Sequence, residues 1–257
     1  REKGRQDNMD ENMILSLFAP PKLDGIRRLL CIQPHSDDNE IGMGGIIASL
    51  VEKGVQVDYL TVTDGALGDN GIPYGEESLS LVRKREAEAA GRYLGAENFF
   101  FLSHGDGTLS SVPEIAREIA EIIRKGRYDA VAAPDPWNRY EAHFDHVVTG
   151  RAAAQAAISV SLRKYPENTD TEPVELKAVL FYFTSRPNTF VDISPYFQKK
   201  MEAIALHRSQ ITGEMLELYG GYFMWRGMKM SGDGRIMEGV KALLPLHLHC
   251  IGEAEDI

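Results

Sequence analysis

The chain has 257 residues, 43% hydrophobic and 26% charged, the balance of a folded globular protein and not of a disordered one. Its 28 Lys and Arg stand against 38 Asp and Glu, a net charge of −10, which argues against the basic footprint of nonspecific nucleic-acid binding. Two cysteines, Cys31 and Cys250, cannot build a disulfide scaffold, and no run approaches the ~18 apolar residues of a membrane span.

A reducing cytoplasm is therefore the expected compartment, with no nucleic-acid and no membrane partner. Residues 1–25 read as an N-terminal extension. They are polar over 1–12, without the apolar core of a signal peptide, and amphipathic over 13–18. Residues 26–257 read as a single domain with a less regular C-terminal portion.

Residues 26–32 form the first strand pattern, followed by a helix over 42–53 that Gly54 stops. A strand over 55–62, a helix over 76–94 closed by Gly95, and a short strand over 98–102 come next. A helix over 112–125 closed by Gly126 and a strand over 129–133 complete the series. Short apolar strands alternating with longer helical patterns predict an α/β fold, a Rossmann-like three-layer sandwich with a mostly parallel sheet. Beyond it, the spacing predicts a helix over 146–163, a strand over 176–183, a short strand over 190–193 and a helix over 195–208. The glycine- and methionine-rich stretch 220–239 follows no clear period.

Right-handed crossovers put every parallel strand's C-terminus on one edge, where ligands bind in open α/β sheets. His35, Asp37 and Asp38 follow the first strand, Asp64 the second, His104 and Asp106 the third, and Asp135 the fourth. Segments scattered in sequence thus meet at one rim.

The sharpest cluster is Pro34-His35-Ser36-Asp37-Asp38. An imidazole and a carboxylate three residues apart past a strand end can turn toward one divalent ion, although Ser and Asp are also ordinary turn residues. Of two neighbouring aspartates, one can hold the metal while the other stays free as a base. The second cluster is His143-Phe144-Asp145-His146. Its histidines lie on one helix face, and Asp145 can orient either ring. A His, Asp and His ligand set leaves a position open for water, the mark of a catalytic site.

These segments resemble the LmbE-like, or PIG-L, family of zinc-dependent N-acetylglucosaminyl de-N-acetylases. The first family motif appears as P-H-S-D-D-N-E-I-G-M-G-G over 34–45 and the second as H-F-D-H over 143–146. T-D-G at 63–65 and V-R-K-R-E-A-E-A-A-G-R-Y-L-G at 82–95 match further family segments, and the resemblance spans roughly residues 26–210. It implies zinc, or another divalent metal, on His35, Asp38 and His146. It also implies Asp37 as general base, His143 as the group that polarises the carbonyl in protonated form, and Asp106 and Arg83 at the substrate. Ser36 and Phe144 stand where the family has proline, and Asn39 where many members have glutamate. Within the family, A-P-D-P-W-N-R-Y-E-A-H-F-D-H over 133–146, H-R-S-Q over 207–210 and Y-G-G over 219–221 resemble the diacetylchitobiose deacetylase branch. The implied activity is hydrolysis of the acetamide of a small N-acetylated sugar.

Several residues carry two readings. Arg83 can clamp a sugar hydroxyl or pair with Glu86 on its helix. Trp137 can stack on a sugar or join the core, and Tyr140 can donate a hydrogen bond or only wall the pocket. His207, adjacent to Arg208, is tied to the site mainly by the resemblance, and His247 and His249 alternate as on one face of a strand, where they could approach a neighbouring subunit's site, form a terminal metal pair or serve neither. Two rival functions stand beside the first: deacetylation of an amino-sugar thiol precursor of bacillithiol or mycothiol type, and noncatalytic sugar binding. Gly42 to Gly45 do not keep the dinucleotide spacing, and Asp37, Asp38 and Glu40 would repel a phosphate there. The Met- and aromatic-rich segment 219–230 offers apolar surface, and a homo-oligomer is expected.

Overall fold

A computed structural model describes residues 18–257. The amphipathic stretch 13–18 lies outside these residues except for Phe18. Seven strands form one sheet: β1 (Arg28–Gln33), β2 (Gln56–Thr63), β3 (Phe99–His104), β4 (Ala130–Pro134), β5 (Ala178–Tyr182), β6 (Thr189–Asp192) and β7 (Met237–Leu243). Their order is β3-β2-β1-β4-β5-β7-β6. The first five are parallel in register, and β7 pairs antiparallel with both β5 and β6. β1, β4 and β5 are almost wholly buried, as strands covered on both faces must be.

Six α-helices cover the sheet: α1 (Asp38–Glu52), α2 (Leu79–Leu94), α3 (Val112–Gly126), α4 (Phe144–Ser159), α5 (Phe197–Ile204) and α6 (Gly213–Ser231). One core layer joins α3 and α4 to the sheet through Ile115, Ile119, Ile123, Val148 and Ala152. The other packs α1 and α5 through Met43, Ile46, Ile47 and Ala203. Ser111 caps α3, its Oγ accepting from Glu114 N at 3.3 Å, and Gly95 ends α2 in the left-handed region at φ 107°. Among the described residues, no helix is long and apolar enough to cross a membrane.

The structure corrects or completes four sequence readings. α1 begins at Asp38, four residues before the predicted start, so the Asp-Asp pair sits at its first turn. The helical pattern was hidden by the glycines and by a break at Met43 (φ −150°, ψ 25°). The stretch 220–239 resolves into the end of α6 and the start of β7. His247 and His249 lie on no strand: His247 is buried in a 3-10 turn after β7, its Nδ1 accepting from Leu244 N at 3.1 Å. The shorter helix over 197–204, preceded by a 3-10 turn at Ser194–Tyr196, replaces the predicted helix over 195–208.

Candidate metal centre

Strands β1 and β4 are neighbours, but their chains cross over in opposite directions along the sheet. This is the switch point where a crevice opens at the strand C-termini. Beyond β1 the chain turns through His35 into α1. Beyond β4 it runs through a loop to His143, the residue preceding α4. Both motifs therefore converge on one crevice.

Asp38 lies between two imidazoles. Its Oδ2 is 3.3 Å from His35 Nδ1, and its Oδ1 is 3.3 Å from His146 Nε2. Ligand atoms about 2.0–2.1 Å from a tetrahedral zinc lie about 3.3 Å apart, so these separations fit an ion between them. The far nitrogens face carboxylates. His35 Nε2 is 3.3 Å from both Asp106 Oδ1 and Asp145 Oδ2, and His146 Nδ1 is 3.3 Å from Glu141 Oε2. Carboxylates on the outer nitrogens fix ring orientation and raise ligand basicity. The nitrogens of His35, His143 and His146 also lie within 4.8 Å of one another, so His143 borders the same point.

The field at this point favours positive charge. Burial opposes protonation of His35, yet hydrogen bonds and attraction from Asp106 and Asp38 raise its pKa to about 10. Burial likewise opposes the charge of His146, and Asp38 and Glu141 raise its pKa. Burial would raise the pKa of Asp38, but His146 and His35 hold it well below the usual carboxylate range. His143 behaves oppositely: burial first, then His35 and His146, lower its pKa. Asp145 and Asp38 act in the opposite direction and do not offset these effects.

Asp37 differs from Asp38 in surroundings. Its side chain makes no cap at α1, and its Oδ1 is 3.5 Å from Arg83 Nη2. Arg83 is buried and donates from Nη1 to Gly65 O at 3.0 Å, so the alternative pairing with Glu86 is not made. Glu86 instead accepts from Ser209 N at 2.8 Å. Asp106 Oδ2 accepts from Leu67 N at 3.0 Å, and Asp145 Oδ2 from Gly107 N at 2.8 Å. Asp64 and Asp135 accept from Ala66 N and Trp137 N as turn caps. His104 turns away to Glu118 at 2.6 Å. His207 is fully buried, its Nε2 3.2 Å from Glu40 Oε2.

A cleft of about 420 Å³ opens beside Asp38, Glu141 and His146, walled by Phe183, Tyr219, Tyr222, Phe223 and Arg226. Phe183 stacks on His146 with ring centroids 5.7 Å apart, and its φ of 56° is strained for a bulky side chain. Trp137 and Tyr140 line a separate cavity instead, together with Arg186, Lys241 and His247. Trp137 packs edge-on against Phe181 at 5.3 Å, and Tyr140 is 89% exposed. Glu141, Phe183 and the α6 wall escaped the sequence reading. Glu141 left a signal as the acid two residues before His143, and Tyr219 as the start of the Y-G-G segment.

Residues 30–157 match the family described as PIG-L: GlcNAc-PI de-N-acetylase. The "Diacetylchitobiose deacetylase" of Thermococcus kodakarensis is 35% identical over 230 residues, covering 87% of this chain and 86% of its own. A Bacillus anthracis protein, "Probable N-acetyl-alpha-D-glucosaminyl L-malate deacetylase 2", is 27% identical and covers 76% of this chain and 87% of its own. The solved structure of N,N'-diacetylchitobiose deacetylase from Pyrococcus horikoshii, complexed with its inhibitor MPG, is similar with a TM-score of 0.87 at 31% identity, covering 100% of both chains. With both motifs converging on one crevice and identity sustained over most of the chain, this protein belongs to the PIG-L family.

Proposed function

We propose that the protein is a metal-dependent N-deacetylase. It hydrolyses the acetamide of an N-acetylated amino sugar of N-acetylglucosamine or chito-oligosaccharide type, giving acetate and the free amine. The observation that carries this reading is the Asp38 carboxylate set 3.3 Å from an imidazole on each side, with each ring's outer nitrogen facing another carboxylate. The similarity to diacetylchitobiose deacetylases over most of the chain supports the sugar class.

His35, Asp38 and His146 would hold a divalent ion, with zinc suited to this nitrogen and oxygen set. Once bound, the ion supplies a Lewis acid and lowers the pKa of water at its open position. Asp37, freer than Asp38, takes a proton from the attacking water and returns it to the departing nitrogen. His143 donates an N–H to the oxygen on which charge develops. Asp145 and Asp106 hold His35 in place, and Glu141 lies against His146. Arg83 steadies Asp37 and the 65–68 loop, and Arg83 and Asp106 would meet the sugar, as the family resemblance implies. Trp137 and Tyr140 border the neighbouring cavity and would reach only a longer chain.

The exposed α6 side chains Leu218, Tyr222, Met224, Trp225 and Met228 support a homo-oligomer. The unpaired cysteines support a reducing cytoplasm. Deacetylation of an amino-sugar thiol precursor is the second reading, favoured by the Bacillus relative. A primary-amine release screen of the zinc-loaded protein decides between them, with N-acetylglucosamine, diacetylchitobiose and glucosaminyl-malate or inositol conjugates as substrates. Release from the first two supports the main reading. Release from the conjugates alone supports the second, and no release from any rejects both.

A further inference from the structure

The break in α1 at Met43 separates the short segment bearing Asp38 from the rest of the helix. In an uninterrupted helix, Ile41 O would accept from Gly45 N, and Ile46 N would donate to Gly42 O. Here side chains from two other elements reach into the break. Lys200 of α5 donates from Nζ to Ile41 O at 2.8 Å, and Glu238 of β7 accepts from Ile46 N through Oε2 at 2.8 Å. The two join each other, Nζ to Oε1, at 2.5 Å. Lys200 is 1% exposed, and its Nζ lies 3.9 Å from the Phe223 ring centre. A Cβ at Gly44 would come within 3.2 Å of the Lys200 stem, so the small residue leaves the lysine room to cross the helix.

Burying an ion pair costs desolvation that well-packed apolar residues would avoid. Apolar residues, however, cannot meet a helix carbonyl on one side of a break and a helix N–H on the other. This pair does both, and so fixes the angle at which the first turn leaves the helix. A second tether acts on the same turn: Glu40 meets His207, which follows α5 in the chain. The α5 region thus grips the segment that presents Asp38.

We propose that Lys200 and Glu238 are positioning residues for the metal centre, holding the first turn of α1 so that Asp38 meets His35 and His146. This rests on the reading that those three residues bind the ion. In this role Lys200 and Glu238 act through the first turn of α1, while His35, Asp38 and His146 would hold the ion.

The test uses the full chain and three variants. Lys200→Met removes the donor, Lys200→Arg keeps a cation, and Glu238→Gln keeps an acceptor for Ile46 N–H without the charge. Zinc affinity is measured by chelator competition, site geometry by the visible spectrum of the cobalt(II) form, and turnover by kcat and KM separately. Lys200→Met is expected to bind zinc at least about tenfold more weakly. Its cobalt spectrum should shift and its kcat fall more than KM changes, while Lys200→Arg recovers much of the affinity. Ile119→Ala, in α3 on the opposite face, lowers thermal stability but should leave zinc affinity and spectrum unchanged. If Lys200→Met does not fold, Glu238→Gln carries the same expectation. A folded variant with native zinc affinity and cobalt spectrum overturns the proposal, as does equal weakening by Ile119→Ala. If the unaltered protein binds no zinc, the metal-centre reading fails and takes this one with it.

Discussion

Asp145 Oδ2 lies 3.3 Å from His35 Nε2, on the opposite side of the ring from Asp38. Fully buried and anchored by Gly107 N, Asp145 fixes which nitrogen of His35 is free to meet an ion. Asp145→Asn should therefore weaken zinc binding by about 10- to 100-fold while the fold persists. Chelator competition checks this, and unchanged affinity would remove Asp145 from the metal centre.

The adjacent aspartates should fail differently. Asp37→Asn should keep its zinc and lose about 100- to 10,000-fold in kcat, because the amide cannot take a proton from water. Asp38→Asn should lose zinc, with some activity returning in excess metal. Zinc content measured beside amine release separates the two, and the reverse pattern would mean the roles are exchanged.

His143→Ala should retain zinc, lower kcat by about 100- to 1,000-fold and change KM less, since its N–H acts where charge develops. Steady-state kinetics on the zinc-loaded variant check it. A KM increase at constant kcat would make His143 a ground-state binding group instead.

The metal-free protein should lose stability as pH rises from neutrality toward 10. The pKa of His35 is raised from 6.5 to about 10 in the fold. The resulting stabilisation is fully present below 6.5 and is lost as pH climbs through about 10. A histidine ligand must be neutral, so zinc uptake near pH 7 should release protons, and apparent affinity should rise with pH. Thermal unfolding of chelator-treated protein from pH 6 to 10 tests the first part. Titration calorimetry in buffers of different ionisation enthalpy tests the second.

Gly42→Ala should destabilise the protein by about 1–3 kcal/mol, the usual cost of overpacking. A Cβ there would sit 2.3 Å from Tyr182 Cδ2, and Tyr182 is held by its hydroxyl donating to Ile32 O at 2.9 Å. Chemical denaturation measures the loss, and native stability would show that the ring can yield.

The parallel half of the fold was legible because each strand and helix there writes a separate period, closed by Gly54 or Gly95. His35, Asp38 and His146 were legible because short motifs at strand ends need little tertiary knowledge. What escaped depended on distant partners. α6 has Gly227 as its one fully buried residue, and its glycines and exposed Leu218, Met224 and Trp225 blur the half-buried face of Tyr219 and Phe223. The α1 break is held by Lys200 and Glu238, which no local pattern links to Asp38. His207 had no visible reason for its place until Glu40 was found against it. Burial, with His35 and His146 close by, lowers the His143 pKa in the metal-free fold, and His35 comes from a motif more than a hundred residues away.

The bond from Ile46 N to Glu238 spans 192 residues and joins a helix near the start of the chain to a strand near its end. During synthesis, His35, Asp38 and His146 all leave the ribosome well before that strand exists. The nascent chain therefore carries its motif histidines and aspartates before their support can form. If Lys200 and Glu238 hold the metal centre as proposed, secure loading of the metal would wait for the synthesis of β7.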